Sequence, residues 1–434
     1  MHNDAVHFTR HTISGWELWK TDGSLAGTMS VEVNPAWVDH LVPGPGGSLL
    51  YSSHDSTTGT ELYRTLGDGS GGSLLADLAT AGQTNDANPI VLARLDGDRL
   101  VMVADQGGPG RDLILFDPDL GTTTLVAGPA DASWTTPSTT AWLGGTQVAL
   151  FVAELAPGHS ALWRTDGTPS GTFPVSDNGL DGFLDPGPLF YHPPAGAVYF
   201  RGRKPGAPHE LWISDGTPSG THELVDINPI GASAPDDFVS LGANLLFSAE
   251  GPAGRELWIS DGTAAGTSML VDINPTGNAN PDRLTRAGNL VYFVATDGVH
   301  GLEPWCTDGT AAGTFMLADL NAGPVGSIEI PGPFDNGFPQ GFRAFDGKVV
   351  FNAKTPATGK EPHISDGTTA GTVLLADLRP GPGSSHCLGF TRFQDAVHFV
   401  DGPAWSERRL YRSDLTVGGT SLVAPIGNTD GLKD

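Results

Sequence analysis

The stretch Glu256-Leu-Trp-Ile-Ser-Asp-Gly-Thr-Ala-Ala-Gly-Thr267 returns along the whole chain. Near copies begin at Glu17, Glu61, Ala161, Glu210, Glu303 and Glu361, and two degenerate copies begin at Asp112 and Arg409. The nine anchors fall 44 to 58 residues apart, mostly 46 to 49, which is the length of a four-stranded propeller blade rather than of a helical repeat. One unit reads as four strands: Arg283 to Arg286, a turn at Ala287-Gly288-Asn289, Leu290 to Ala295, a third strand of the Glu256 type and a fourth of the Val271 type. The second, Leu290-Val-Tyr-Phe-Val-Ala295, is apolar without alternation, as expected of a strand covered on both faces by neighbouring blades. No segment carries helical periodicity.

A fixed period also suits an open rod, so the chain ends decide. The first unit opens at Ala5-Val-His-Phe8, a second strand with no first strand before it. The tail Pro425 to Asp434 resembles the lead-in Pro275 to Thr285, so Asp430 to Lys433 is expected to pair with Ala5 to Thr9 and close the circle, which removes exposed sheet edges. The expected fold is therefore all-β: a closed β-propeller of nine four-stranded blades, with eight as the alternative and the first blade completed by the C-terminal strand. It forms a single domain over 1–434, with blades near 5–35 (with 430–434), 36–82, 88–130, 137–178, 185–230, 235–276, 281–322, 338–380 and 387–426.

Composition narrows the class. A chain of 434 residues could hold two or three ordinary domains, but the repeat overrides that reading. The formal charge of −26, from 49 acidic and 23 basic residues, opposes encounter with nucleic acid. Cys306 and Cys387 are the only cysteines, lack CxxC spacing and read as two buried thiols, not as a disulfide framework or zinc site. No apolar stretch reaches the roughly 18 residues of a membrane span, and the Met-His-Asn start is no signal region, so a soluble monomer is expected. A leader removed earlier would leave no trace here, so compartment must be argued otherwise.

Each repeat has an aspartate at the turn between its third and fourth strands, such as Asp166, Asp215 or Asp261, followed by a Gly-Thr or Gly-Ser pair. A group present in every blade is scaffold: the carboxylate accepts nearby backbone N–H bonds and glycine takes positive φ. Calcium at these turns is the competing reading, and no cofactor is expected. Trp19, Trp163, Trp212, Trp258 and Trp305, with Tyr63 and Tyr411, lie two residues after the glutamate position and so share a strand face. They read as staples between blades, since a sugar-stacking platform would have to be exposed.

The Glu-Leu-Trp-x-x-Asp-Gly-Thr phrase, followed by Asp226-Ile-Asn-Pro229 and Asp272-Ile-Asn-Pro275, resembles the ELWxxDGT repeat family over essentially the whole chain. Members are typically bacterial, often secreted or surface proteins without an assigned activity. The resemblance implies an extracellular or cell-surface setting and no particular reaction. Asp112-Leu-Ile-Leu and Arg409-Leu-Tyr-Arg depart furthest from the motif.

No HExxH, Walker A or cysteine-histidine cluster is present, and Gly67-Asp-Gly-Ser-Gly-Gly72 leads into a strand, so it is a lengthened hairpin. In a propeller the links between blades and those between strands two and three share one face, and these are the segments that vary. Trp37, Trp134, Phe334, Asp335, Phe338 and Trp405 lie in such links, where aromatics beside carboxylates suit a glycan or peptide but also pack down loops. Near the axis, Arg94, Arg286 and Arg392, with His40, could ring an anion, or pair with carboxylates such as the Glu256 series. The leading expectation is a non-catalytic binding or scaffolding propeller that contacts glycan or protein through its variable face. The alternative is a glycan-active hydrolase or lyase that uses the mouth of the central channel.

Overall fold

The structure is a computed structural model. It describes residues 6–12, 15–21, 29–33, 38–44, 48–55, 57–66, 71–79, 86–95, 99–106, 111–127, 140–144, 146–156, 159–175, 186–329, 341–402 and 408–425. These residues form strands and no helix. Eight antiparallel sheets have four strands each, and a ninth, at the start of the chain, has three (Val6–Thr12, Gly15–Thr21 and Met29–Val33). Every sheet is a meander of sequential neighbours, so the fold is all-β and propeller-like. The closing strand expected at Asp430 to Lys433 lies outside the described residues.

The chain divides into two compact units, Met1–Glu223 and Leu224–Asp434. In the first, Leu50 and Leu62 of the second sheet meet Leu100, Met102 and Ile114 of the third, whose other face packs Val101 and Leu113 against Phe151 and Trp163 of the fourth. In the second, Leu246 and Leu257 of the sixth sheet meet Val291 and Phe293 of the seventh, and Tyr292 and Val294 on the far face meet Phe342 and Phe351. A strand between two such faces has no polar side. Leu290–Ala295 is accordingly buried at all but its first residue, as its unbroken apolar run requires.

The repeated phrase performs three structural tasks. Its aromatic residue pairs across the strands with an aromatic of strand two: Phe200 with Trp212 at 6.3 Å, Phe293 with Trp305 at 6.4 Å and Phe399 with Tyr411 at 5.7 Å between ring centroids. Trp163 and Trp212 also sit in clusters shared with the preceding sheet, the stapling role their spacing implied.

The aspartate closes the turn. Asp215 Oδ1 accepts the Thr217 amide at 2.8 Å and the Thr217 hydroxyl at 2.7 Å, and Asp261, Asp308 and Asp366 repeat the pattern. These bonds hold the Asp261 and Asp308 carboxyls below the ordinary carboxylate range. Gly216 follows at φ +83°, and a Cβ there would fall 2.6 Å from Leu143 Cδ1 of the preceding sheet. At Gly220 a Cβ would stand 2.0 Å from Asp215 Oδ1, so the second glycine makes room for the carboxylate.

The third task was not foreseen. Glu256 is fully buried, yet its carboxylate accepts the Ile273 amide at 2.9 Å and the Ala279 amide at 3.1 Å. Glu61 does the same with Leu78 and Ala87, Glu303 with Leu320 and Asn321, and Glu361 with Leu378 and Ser385. Each glutamate fastens the segment leaving its own sheet on the way to the next. The arginine partners considered for this series are therefore replaced by backbone amides, which satisfy a buried carboxylate without a second charge.

Candidate functional site

The inner strands of the sixth, seventh and ninth sheets begin with the same irregularity. Asp236 pairs with Ser248 and the register then jumps to Val239 with Leu246; Asp282 pairs with Val294 before Thr285 with Tyr292; Leu388 pairs with Val400 before Thr391 with His398. One extra residue on the inner strand makes each a β-bulge, and the residue after the first pair is left-handed in all three. Its φ is +57° at Asp237, +60° at Arg283 and +66° at Gly389. Glycine adopts this conformation freely, so the ninth sheet shows the unstrained solution. Asp237 and Arg283 hold charged side chains there at a backbone cost, a pattern that gathers at functional positions.

Both strained residues line one cavity of about 530 Å³ within the second unit. Its wall includes Asp236, Asp237, Asp282, Arg255, Arg283 and Glu329. The backbone that forms it comes from the starts of inner strands, from second strands at Ser248 and Val294, and from the link after Ser327, on the side where variable links were expected to carry function.

Asp237 reaches across to the next sheet, where its Oδ2 accepts the Leu284 amide at 2.6 Å. Burial is the main influence on this carboxyl and raises it; the Leu284 hydrogen bond opposes that, and the charges of Asp282 and Asp236 add to it, leaving it pushed up to about 6. Asp282 is more exposed, its side chain at 58 %, and stands 3.5 Å from Arg283 Nε. The guanidinium of Arg283 also donates to Glu329 O at 3.2 Å. Arg255 donates to Ala234 O at 3.1 Å and, at 3.5 Å, to Ser248 O. Ser248 is 1 % exposed, and its hydroxyl has no hydrogen-bond partner among the described residues. A carboxyl pushed up to about 6 beside a second, more exposed carboxyl is the equipment of general acid–base chemistry. Among the described residues no group of three or more His, Cys, Asp or Glu is arranged to hold a metal ion.

None of the described residues singled out from the sequence lines this cavity. Trp37, Trp134, Phe334, Asp335, Phe338 and Trp405 lie outside the described residues. His40 is in the inner strand Val38–Pro43 of the second sheet. Arg94, Arg286 and Arg392 occupy one register, at the end of their inner strands, opposite Leu100, Val291 and Val397. Arg392 forms an ion pair with Asp346, while Arg286 donates to Gly288 O at 2.9 Å. In their own strands, Arg286 and Arg392 stand at the opposite end from the bulge.

Sequence reasoning passed over Asp236 and Asp237. The signal was an acidic doublet where an inner strand should turn apolar. Ser248 carried another: its place in strand two is Val294 in the seventh sheet and Asn352 in the eighth, a varying position amid a constant apolar phrase.

No protein-family model matches the sequence, and no curated protein matches it. Fold and cavity define the chain as a propeller-like β protein with an acidic cleft on one face, and solved structures share that fold. A crystal structure of Porphyromonas gingivalis dipeptidyl peptidase 4 matches with a TM-score of 0.53 at 10% identity, covering 92% of this chain and 64% of that one. A prolyl endopeptidase structure matches at 0.42 and 15% identity (78% and 49%), and a puromycin hydrolase mutant complexed with PGG at 0.39 and 13% (86% and 59%). The chain thus spans from half to just under two thirds of these structures.

The first of these likenesses corrects the expectation of a non-catalytic binding or scaffolding propeller. The structure matching at a TM-score of 0.53 is a dipeptidyl peptidase, which favours the alternative reading, a hydrolase, over that expectation. At these identities the likeness is one of fold, so chemistry has to be argued from the side chains.

Proposed function

We propose that the chain is a glycan-active hydrolase working at the cleft of the sixth and seventh sheets. The observation that carries this reading is the Asp237 carboxyl, pushed up to about 6 inside a cavity whose wall also holds Asp282. Acetal hydrolysis needs one protonated acid to release the leaving oxygen and one carboxylate to activate water or stabilise the oxocarbenium-like centre. In this assignment Asp237 donates the proton and the more exposed Asp282 acts as the second carboxylate. Arg283, next to Asp282 in sequence and paired with it, positions it.

The test is turnover of a panel of aryl glycosides and polysaccharides by the purified chain, with peptide amides run alongside. We expect glycoside turnover that drops about 100-fold or more in Asp237→Asn, the usual scale of a lost general acid. Its kcat/KM should fall as pH rises through about 6, because the acid must be protonated. Turnover of peptides only, or glycan binding with no turnover at all, would remove the assignment.

The proposal extends to architecture and setting: nine blades closing into one ring, with Asp430 to Lys433 as the inner strand of the first, in an extracellular or surface protein as the family resemblance implies. Deleting Gly427 to Asp434 should then expose strand edges and promote aggregation. A truncated chain that melts and elutes like its parent would refute closure.

A further inference from the structure

We infer that the cleft selects a sugar bearing a carboxylate, held by Arg255, with a neighbouring hydroxyl held by Ser248. This deepens the hydrolase reading and rests on it.

The cavity wall is acidic through Asp236, Asp237, Asp282 and Glu329, so a cation placed in it needs a reason. Glu329 is within ion-pair distance of Lys360 at 3.3 Å and Lys354 at 3.5 Å, and Arg283 stands 3.5 Å from Asp282. Arg255 differs. Its guanidinium contacts are the carbonyls of Ala234 and Ser248, which fix its direction and leave its charge without a carboxylate partner among the described residues. A fork held by neutral acceptors at the edge of a cavity suits a planar anion arriving from solution. The Ser248 hydroxyl, buried beside it and unpartnered among the described residues, lacks the hydrogen bond that a buried polar group ordinarily has. A ligand carrying an acceptor or donor hydroxyl next to its carboxylate satisfies both groups at once, and uronic-type sugars have that arrangement. The chain's charge of −26 works against long polyanions, so the ligand is a glycan presenting one acidic sugar rather than a polyuronate.

The experiment compares matched probes that differ only at C6: p-nitrophenyl glucuronide against the glucoside, and galacturonide against galactoside. Binding is measured by calorimetry on the full chain carrying Asp237→Asn, which does not consume the probe. One acidic member should bind about tenfold or more tighter than its neutral twin, the scale of a charge-assisted hydrogen bond. Adding Arg255→Gln should bring that ratio to about one, and Ser248→Ala should weaken both twins together. Should Arg255→Gln fail to fold, Arg255→Lys keeps the charge, loses the fork and should give an intermediate ratio. Equal affinity for the twins, no binding of either, or a ratio unmoved by both Arg255 variants would overturn the inference. The two readings fail separately. Acid-selective binding without turnover by the wild-type chain removes the hydrolase and leaves the recognition. Turnover that ignores the C6 group does the reverse.

Discussion

Replacing Asp237 by Asn keeps the shape of the side chain, its tolerance of a left-handed backbone and an oxygen to accept the Leu284 amide, so what changes is charge. In the folded protein this carboxyl titrates at about 6 against an ordinary 3.8, because burial and the charges of Asp282 and Asp236 disfavour its ionised form. The sign follows. With its folded value raised, the group contributes stability that is complete below pH 3.8 and lost as pH rises through about 6. The difference between 3.8 and about 6 corresponds to a ceiling of about 3 kcal/mol. Asn, neutral throughout, avoids that loss. Denaturant unfolding at pH 4 and pH 8 should therefore show variant and parent nearly equal at the lower pH and the variant more stable by about 1–3 kcal/mol at the higher one. The same variant should lose about 100-fold or more of its turnover, so stability and activity move in opposite directions, as they do where a site is held in an unfavourable state for its chemistry. A variant no more stable than the parent at pH 8, or a difference that does not grow with pH, would show that Asp237 is not the strained acid described above.

Other expectations concern the scaffold. Glu256→Ala should destabilise the chain by about 2–5 kcal/mol, since it leaves the Ile273 and Ala279 amides unsatisfied and opens a void; amide exchange at those two residues should accelerate first. Gly220→Ala should cost about 1–3 kcal/mol by driving the Asp215 carboxylate out of its turn, read as a lower urea midpoint at unchanged slope. Chelator should shift the melting temperature only slightly, because the turn aspartates already accept Thr hydroxyls and amides; a fall of roughly tens of degrees would require tight, multiple calcium sites.

What the sequence disclosed and what it hid divide along the range of the interactions. The repeat fixes strands because its signals are local. An Asp-Gly turn closes on itself within five residues, and an apolar run of six can only be a covered strand. The aromatic staple was legible for the same reason: two residues of spacing suffice to put Glu256 and Trp258 on one face. The role of the glutamate was less accessible, although Glu256 to Ile273, Glu303 to Leu320 and Glu361 to Leu378 all span 17 residues. A buried carboxylate calls to mind a cation, and only the fold shows that a returning backbone offers amides instead.

The cleft lay further out of reach because it is made by departures from the repeat. A bulge leaves no mark when glycine, aspartate and arginine fill its left-handed position in turn, as Gly389, Asp237 and Arg283 do. The acidity of Asp237 is set by burial against the opposing hydrogen bond from Leu284, 47 residues away. In a repeat protein the constant residues build the frame, so chemistry has to sit where one copy differs from its neighbours. Aligning the nine copies and asking which blade places a charge where another places glycine would have led to Asp237 and Arg283 directly. The aromatic links drew attention because they vary in length, yet the informative variation is in side-chain charge at a fixed register.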